Sequence, residues 1–367
     1  METTPPRSAV LFVDDEPNLL SALRRTMRGI SDECSVAFAT NATEALELIA
    51  TTSFDIIVSD MRMPGIDGAE LLNQIRRSNP ETIRIVLSGQ ANLESTVRAI
   101  ASTHQYLSKP MNFEQLRSLL HELHSSRALI PSSILRKHIA RISAVPCQRA
   151  VLQAFQRACA AGTATREEIE AIARLDLGLS VTLLHVAISM NPSLATRITN
   201  VSQAVSYLSP ESLQAISVAP DLCIETESIH NGFDLAQITE HSYRTAAIAK
   251  EFAVTDQQAA HPYAELVGLV HDIGKLVISD CFGELAQFTQ LAQGEDAYGS
   301  IEDVDVQRQL LGITHAEAGA YLLKLRGFPG EVVEAVRLHH QAIAKTGPRL
   351  DLSEILYLAN RAAHERG

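Results

Sequence analysis

Four short apolar runs, each stopped at its C-terminal end by polar residues, constrain the first third of this chain more than any other feature. Ala9 to Val13 runs directly into Asp14-Asp15-Glu16. Phe54 to Val58 ends at Ser59-Asp60, and Ile83 to Leu87 at Ser88-Gly89. Gln105 to Leu107, the shortest, ends at Ser108-Lys109-Pro110. Largely apolar runs of this length, broken only at Asp55, Arg84 and Gln105, suit strands of a parallel sheet, because helices then cover both faces and neither side-chain direction meets water. Between the runs the spacing turns helical, at Leu19, Leu20, Leu23 and Met27, then Ala45, Leu46, Leu48 and Ile49, then Leu71, Leu72 and Ile75. Asn41 and Asn92 stand where helix N-caps belong. Strand alternating with helix predicts an α/β fold with a doubly wound, open parallel sheet.

In such a sheet ligands collect beyond the C-terminal strand ends. Asp14, Asp15 and Asp60 are therefore predicted to converge. Three carboxylates held together repel one another and favour a hard cation. Mg2+ takes oxygen ligands, keeps several waters and accepts a phosphate oxygen as a further ligand. Lys109 can neutralise a phosphoryl oxygen and Ser88 can donate a hydrogen bond to it. Asp60 is then a candidate nucleophile that forms an acyl phosphate.

Residues 8–122 resemble the receiver domain of bacterial two-component response regulators. In that resemblance Asp14 and Asp15 match the acid pair and Asp60 the phosphoacceptor. Ser88 matches the switch hydroxyl, Tyr106 the aromatic switch position, and Lys109 the lysine. Met63-Pro64-Gly65 and Asp67-Gly68 match the loop after the phosphoacceptor. The resemblance implies a five-stranded, flavodoxin-like sheet, Mg2+ bound by Asp14, Asp15 and Asp60, and a cis Lys109–Pro110 bond. It also implies a sensor histidine kinase as partner and pairing of receivers into a homodimer.

The receiver is assigned to residues 1–122 and a helical linker to 123–138. Phe113, Leu116, Leu119, Leu120 and Leu123 mark the last receiver helix, which Pro131 should end or kink. Ser132 to Ile142 reads as a further short helix, with Arg136, Lys137 and Arg141 on a solvated face.

From Val145 onward the periodicity is helical and shows no strand alternation. Thr165 with Glu168 forms a capping box ahead of Ile169 and Ile172. A dense apolar helix spans Val181 to Ile188 and stops near Asn191-Pro192. Short helices follow over Val201 to Leu208 and Pro210 to Ala219, and a longer one after Asn231-Gly232. His241, the pair His271-Asp272, His315 and the pair His339-His340 fall on or beside separate helices. Bundle-core metal sites are built this way. Imidazoles with one shared carboxylate suit Fe, Mn, Zn or Ni. Lys275 adds a positive charge beside Asp272 and is a candidate catalytic residue for phosphodiester hydrolysis.

Residues 139–367 resemble the HDOD domain, an all-α output module related to the HD phosphohydrolases and the HD-GYP phosphodiesterases. The resemblance rests on His241-Ser242, on Gly268 to Leu276 with its His-Asp-Ile-Gly-Lys core, on His315 to Ala320, and on His339-His340. It implies one metal on His241, His271 and Asp272 and a second on Asp272, His315, His339 and His340. Two departures weigh against hydrolysis. No Gly-Tyr-Pro signature follows the His pair in Ala342 to Arg349, and Asn360 stands where the superfamily places an aspartate. The leading expectation is a response regulator whose phosphorylation at Asp60 controls an HDOD signalling module. The alternative is a metal-dependent phosphodiesterase acting on a cyclic dinucleotide.

The balance of charge, -12, argues against a general nucleic-acid surface, which needs clustered Lys and Arg, and no helix-turn-helix is evident. Five scattered cysteines without a CxxC pair read as reduced thiols, and no run approaches the ~20 apolar residues of a membrane span. The expectation is a cytoplasmic protein that binds neither DNA nor membrane, with a downstream protein or a cyclic dinucleotide as its output partner.

Overall fold

Each of the four apolar runs becomes a strand, and a fifth joins them at the sheet edge. The computed structural model describes residues 7–30, 34–89, 93–110, 112–142, 144–190, 196–227, 229–230, 233–255, 261–285, 303–341 and 350–365. The chain divides into two compact units, Met1–Ser143 and Ala144–Gly367.

The first unit contains β1 (Ser8–Val13), α1 (Pro17–Met27), β2 (Cys34–Ala39), α2 (Ala42–Thr51) and β3 (Ile56–Asp60). It continues with α3 (Gly68–Ser78), β4 (Ile83–Ser88), α4 (Leu93–Ser102), β5 (Gln105–Ser108), α5 (Phe113–Ser126) and α6 (Ser133–Arg141). The sheet order is β2-β1-β3-β4-β5, all parallel. Strands β3 and β4 are buried at every residue, and the Arg84 guanidinium within β4 is satisfied by donating to the Ser102, Pro80 and Thr82 carbonyls. Strand β2 lies at the edge and is half-exposed along its middle, so its Cys-Ser-Val-Ala-Phe-Ala sequence carries no uninterrupted apolar signal.

Local chemistry fixes the helix starts. Asn41 caps α2 by accepting the Glu44 N–H at 2.9 Å, and Asp67 caps α3 by accepting the Glu70 N–H at 2.8 Å. The expected cap at Asn92 lies outside the described residues. Gly68 opens α3 directly against the end of β3, where a Cβ would overlap the Asp60 carbonyl. Helix α5 ends at Ser126 and passes through a 3-10 turn, Arg127–Leu129, so the chain leaves the helix before Pro131. Ser132 then caps α6, whose Leu135, Ile139 and Ala140 are buried within this unit. His104 joins α6 to the sheet: its Nε2–H donates to the Ala140 carbonyl at 2.8 Å while its Nδ1 accepts the Arg84 N–H at 2.9 Å.

The second unit is helical, with two short strand pairs that its periodicity does not reveal. These correct the expectation of helices alone after Val145. Strand β6 (Val145–Gln148) pairs in parallel with β7 (Cys223–Thr226), and β8 (Ile229–His230) pairs antiparallel with β9 (Phe233–Asp234). At two to four residues each they are too short to show alternation against their helical surroundings. Helices α7 (Arg149–Ala161), α8 (Arg166–Ala173), α9 (Leu177–Met190), α10 (Val201–Tyr207) and α11 (Pro210–Ser217) lie between β6 and β7. Apart from Met190, α9 is buried all round, which makes it a central helix of the unit. The Thr165–Glu168 capping box at the start of α8 is present.

Six of the remaining helices frame the His-Asp region: α12 (Leu235–Thr255), α13 (Ala264–Val270), α14 (Ile273–Leu285), then α15 (Val304–Leu311), α16 (His315–Leu325) and α17 (Gly330–Leu338). The last, α18 (Leu352–Glu365), packs back on α12 and α13 through Ile248, Ala249, Ala264, Ile355, Ala359 and Ala363. Small residues at this contact bring the helix axes close and set Asn360 beside α12. Helix α14 packs on α16 by the same means: a Cβ on Gly274 would overlap the His315 carbonyl. Among the described residues no helix is long and apolar enough to cross a membrane.

Candidate functional site

The first cluster forms at the C-terminal edge of the five-stranded sheet. The register sets Val13 beside Ser59, Asp60 beside Leu87 and Ser88 beside Ser108, so the polar residues ending four strands share one edge. Lys109 links two of them. Its Nζ lies 3.0 Å from Asp14 Oδ2 and forms an ion pair with Asp60 Oδ1. The Glu16 N–H donates to Asp14 Oδ1 at 2.9 Å and the Arg62 N–H to Asp60 Oδ2 at 2.8 Å. Burial pushes the Asp14 carboxyl above its ordinary value, against the lowering effect of the Glu16 and Lys109 bonds. Burial works to lower the Lys109 ammonium, but its bonds to Asp60 and Asp14 carry it above its ordinary value. Asp15 follows on the exposed side of the strand end. Tyr106 is largely buried on β5, and the Lys109–Pro110 bond is cis.

One atom at this edge is left over. The Ser88 hydroxyl is buried and has no hydrogen-bond partner among the described residues. A hydroxyl so placed, at the strand end beside that of Asp60, can donate to an oxygen of a group bound there. Carboxylate, ammonium and hydroxyl together suit a phosphoryl group on Asp60, with Asp14 and Asp15 available to a hard cation.

The second cluster is centred on Asp272, which follows α13 and is almost wholly buried. His315 Nε2 lies 3.2 Å and His339 Nε2 3.7 Å from Asp272 Oδ1. On the other oxygen, Oδ2, Lys275 Nζ lies at 2.7 Å, His271 Nε2 at 3.5 Å and His241 Nε2 at 3.9 Å. His340 Nε2 meets His315 Nε2 at 2.9 Å. Candidate ligand atoms of Asp272, His315, His339 and His340 all lie within 4.8 Å of one another, as do those of His241, His271 and Asp272. The structure thus brings together the two sets read from the sequence.

Hydrogen bonds on the far side of each ring fix its tautomer. His271 Nδ1–H donates to the Gly268 carbonyl at 2.8 Å, and His339 Nδ1–H to the Val336 carbonyl at 2.6 Å. His315 Nδ1–H donates to Gln307 Oε1 at 2.9 Å, and the same oxygen accepts the His315 backbone N–H at 2.7 Å. Each ring therefore turns an Nε2 lone pair toward Asp272. The Nε2 atoms of His271 and His339 are buried with no hydrogen-bond partner among the described residues. Lone pairs facing a carboxylate at 3.5–3.7 Å repel it unless a cation lies between them, and this arrangement fits a metal.

Protonation agrees with that fit. Burial pushes His271 down to about 4 and His340 to about 3, and it holds His339 well below its ordinary value. Burial would raise the Asp272 carboxyl, but His271, Lys275 and His315 hold it well below the usual carboxylate range. Neutral imidazole and ionised carboxylate are the forms that bind metal. Asn360 Oδ1 lies 2.9 Å from His241 Nε2, so the residue replacing the superfamily aspartate does stand at the site.

Two residues here escape sequence reasoning. Gln307 carries no motif, and only the fold brings α15 onto His315. His364 packs its ring 4.3 Å from that of His241, and its place one turn after Asn360 on α18 is the only signal for it. The segment 342–349, where the Gly-Tyr-Pro signature is missing, lies outside the described residues.

Comparison with known families and proteins agrees with this division. Residues 10–121 match the response regulator receiver domain and residues 145–342 match the HDOD domain. The hydrogenase transcriptional regulatory protein HoxA of Cupriavidus necator is 38% identical over 106 residues, covering 28% of this chain and 21% of its own. The transcriptional regulatory protein ZraR of Klebsiella oxytoca is 31% identical over 147 residues, covering 39% of this chain and 33% of its own. The chain thus spans a third or less of the length of these relatives. A solved signal receiver domain of an HD domain-containing protein from Pseudomonas fluorescens is 32% identical, with a TM-score of 0.30, covering 32% of this chain and 94% of that one.

Proposed function

We propose that this chain, which belongs to the HDOD domain family and carries a response regulator receiver domain ahead of that domain, is a two-component response regulator in which phosphorylation of Asp60 sets the state of the output domain. The phosphodonor is a sensor histidine kinase, and Asp14, Asp15 and Asp60 would hold Mg2+, which would supply positive charge to the transferred phosphoryl group. The phosphorylated form acts in the cytoplasm on a downstream protein or nucleotide, as a homodimer and without contacting DNA itself. The observation that carries this reading is the Ser88 hydroxyl, buried and without a partner among the described residues, on the strand next to an Asp60 held by Lys109. An added phosphoryl group supplies the missing acceptor and draws Ser88 toward Asp60, a local electrostatic event that biases a two-state element.

Incubating the full chain with Mg2+ and acetyl phosphate tests it. Intact mass should rise by one phosphoryl group, and Asp60→Asn should abolish the rise. Ser88→Ala should leave the unphosphorylated chain at least as stable as wild type, since no hydrogen bond is lost and an unpaired buried hydroxyl is removed. In that variant phosphorylation should no longer alter amide exchange in residues 145–342. No incorporation, or incorporation indifferent to Asp60→Asn, would refute the reading.

The output cluster supports a second reading, metal-dependent hydrolysis of a phosphodiester such as a cyclic dinucleotide. His315, His339, His340 and Asp272, with His241 and His271, would hold Fe, Mn, Zn or Ni, and such an ion supplies Lewis-acid activation of a phosphodiester and its attacking water. Lys275 would balance charge on the substrate. Asn360 in place of a carboxylate favours the signalling reading over this one. Metal-loaded protein that leaves cyclic dinucleotides intact excludes the hydrolase.

A further inference from the structure

We infer that the output domain binds one divalent cation rather than two, on Asp272, His315, His339 and His340, and that Lys275 and Asn360 occupy the place of a second. This deepens the reading of the cluster as a metal centre. The two oxygens of Asp272 face different surroundings.

Around Oδ1 the donors are ready. His315 and His339 present Nε2 lone pairs because Gln307 and the Val336 carbonyl hold their Nδ1 protons. His340 completes the set, with its Nε2 2.9 Å from that of His315. Two ring nitrogens at that distance share one proton in the cation-free chain; for His340 to bind a cation through Nε2 that proton would pass to its own Nδ1, and the ring stays neutral. Three imidazoles with one carboxylate favour a borderline ion such as Zn2+ over Mg2+ or Ca2+.

Around Oδ2 the donors are already in use. The Lys275 ammonium sits on the oxygen itself at 2.7 Å. Asn360 holds His241 Nε2 at 2.9 Å, and whichever end of the amide faces the ring, that nitrogen is engaged. Among the described residues His271 Nε2 is then the one unengaged imidazole donor on this side.

Charge gives the same answer. Among the described residues Asp272 is the one carboxylate in either cluster. A single divalent cation already exceeds its charge. A second, beside the Lys275 ammonium, would leave buried positive charge that nothing here offsets.

Metal content of the full chain decides the matter. The protein is stripped with a chelator, reloaded with Zn2+ in excess Mg2+ to occupy the receiver, desalted and analysed for zinc. Wild type should retain about one zinc per chain and show a zinc-dependent rise in melting temperature. His340→Ala should lose both, and His241→Ala should keep both. A cooperative melt without zinc shows that each variant is folded and separates lost binding from lost structure. Two zincs in wild type, none in wild type, or equal losses in the two variants would overturn the inference. Phosphoryl incorporation at Asp60, read by mass on the same preparation, reports separately on the receiver.

Discussion

At the scale of single residues, the output cluster depends on groups that touch no ligand themselves. Gln307 uses one oxygen to accept both the backbone and the ring N–H of His315. Replacing it by leucine frees the ring to turn and to change tautomer. Gln307→Leu should weaken zinc binding by about 10–100-fold while the fold persists, whereas Gln307→Glu, which keeps the acceptor, should bind nearly as wild type. Competition against a chromophoric chelator measures both, and equal affinities for wild type and Gln307→Leu would refute the positioning role. The sequence announces the ligands because histidine and aspartate are chemically distinctive. It is silent about Gln307, because a lone glutamine on an amphipathic helix resembles any solvated one.

At the scale of elements, the cluster exists because helices approach closely at glycine. Gly274 lets α14 lie against the start of α16, where a Cβ would overlap the His315 carbonyl and approach the Gly319 nitrogen. In an ordinary exposed helix Gly→Ala stabilises by about 1 kcal/mol. Here the sign should reverse: Gly274→Ala forces the helices apart and should cost about 3 kcal/mol. It should also displace His315 and reduce zinc retention. Thermal melts with and without zinc check the sign, and a stabilised variant would contradict the packing account. The Gly-Lys after His271-Asp272 is visible in the sequence as a motif, but its packing partner, 41 positions away from Gly274 at His315, is not. Among strands, the buried ones were legible from apolar runs. The half-exposed edge strand β2 and the short pairs β6–β7 and β8–β9 were not, since neither exposure nor length gives them a period.

At the scale of the whole molecule, buried neutral histidine makes stability depend on pH. His185 sits inside α9 with its Nδ1–H donating to the Arg326 carbonyl at 3.3 Å, and burial together with the Arg326 charge pushes it down to about 3. The unfolded chain binds a proton at this position near pH 6.5, and the folded chain does not until near pH 3. Between those values the unfolded state holds more protons, so stability is full above about pH 6.5 and falls as pH drops. From pH 7 to pH 5 wild type should lose about 2 kcal/mol more than His185→Asn, which retains a donor but cannot titrate. Urea unfolding of the full chain at the two pH values measures the difference, and parallel losses would rule it out.

The sequence by itself determined the two-part plan, the strand-end chemistry at Asp14, Asp60, Ser88 and Lys109, and the identity of the histidines and aspartate in the output domain. Each follows from local signals: apolar runs, turn chemistry and the side-chain types that metal or phosphate requires. Only the tertiary structure decided that Asp15 faces outward, that Ser88 is buried without a partner among the described residues, and that Lys275 and Asn360 take up one side of Asp272. Those outcomes depend on which oxygen faces which donor. That is set by helix packing between residues up to 119 positions apart, and no local period encodes it.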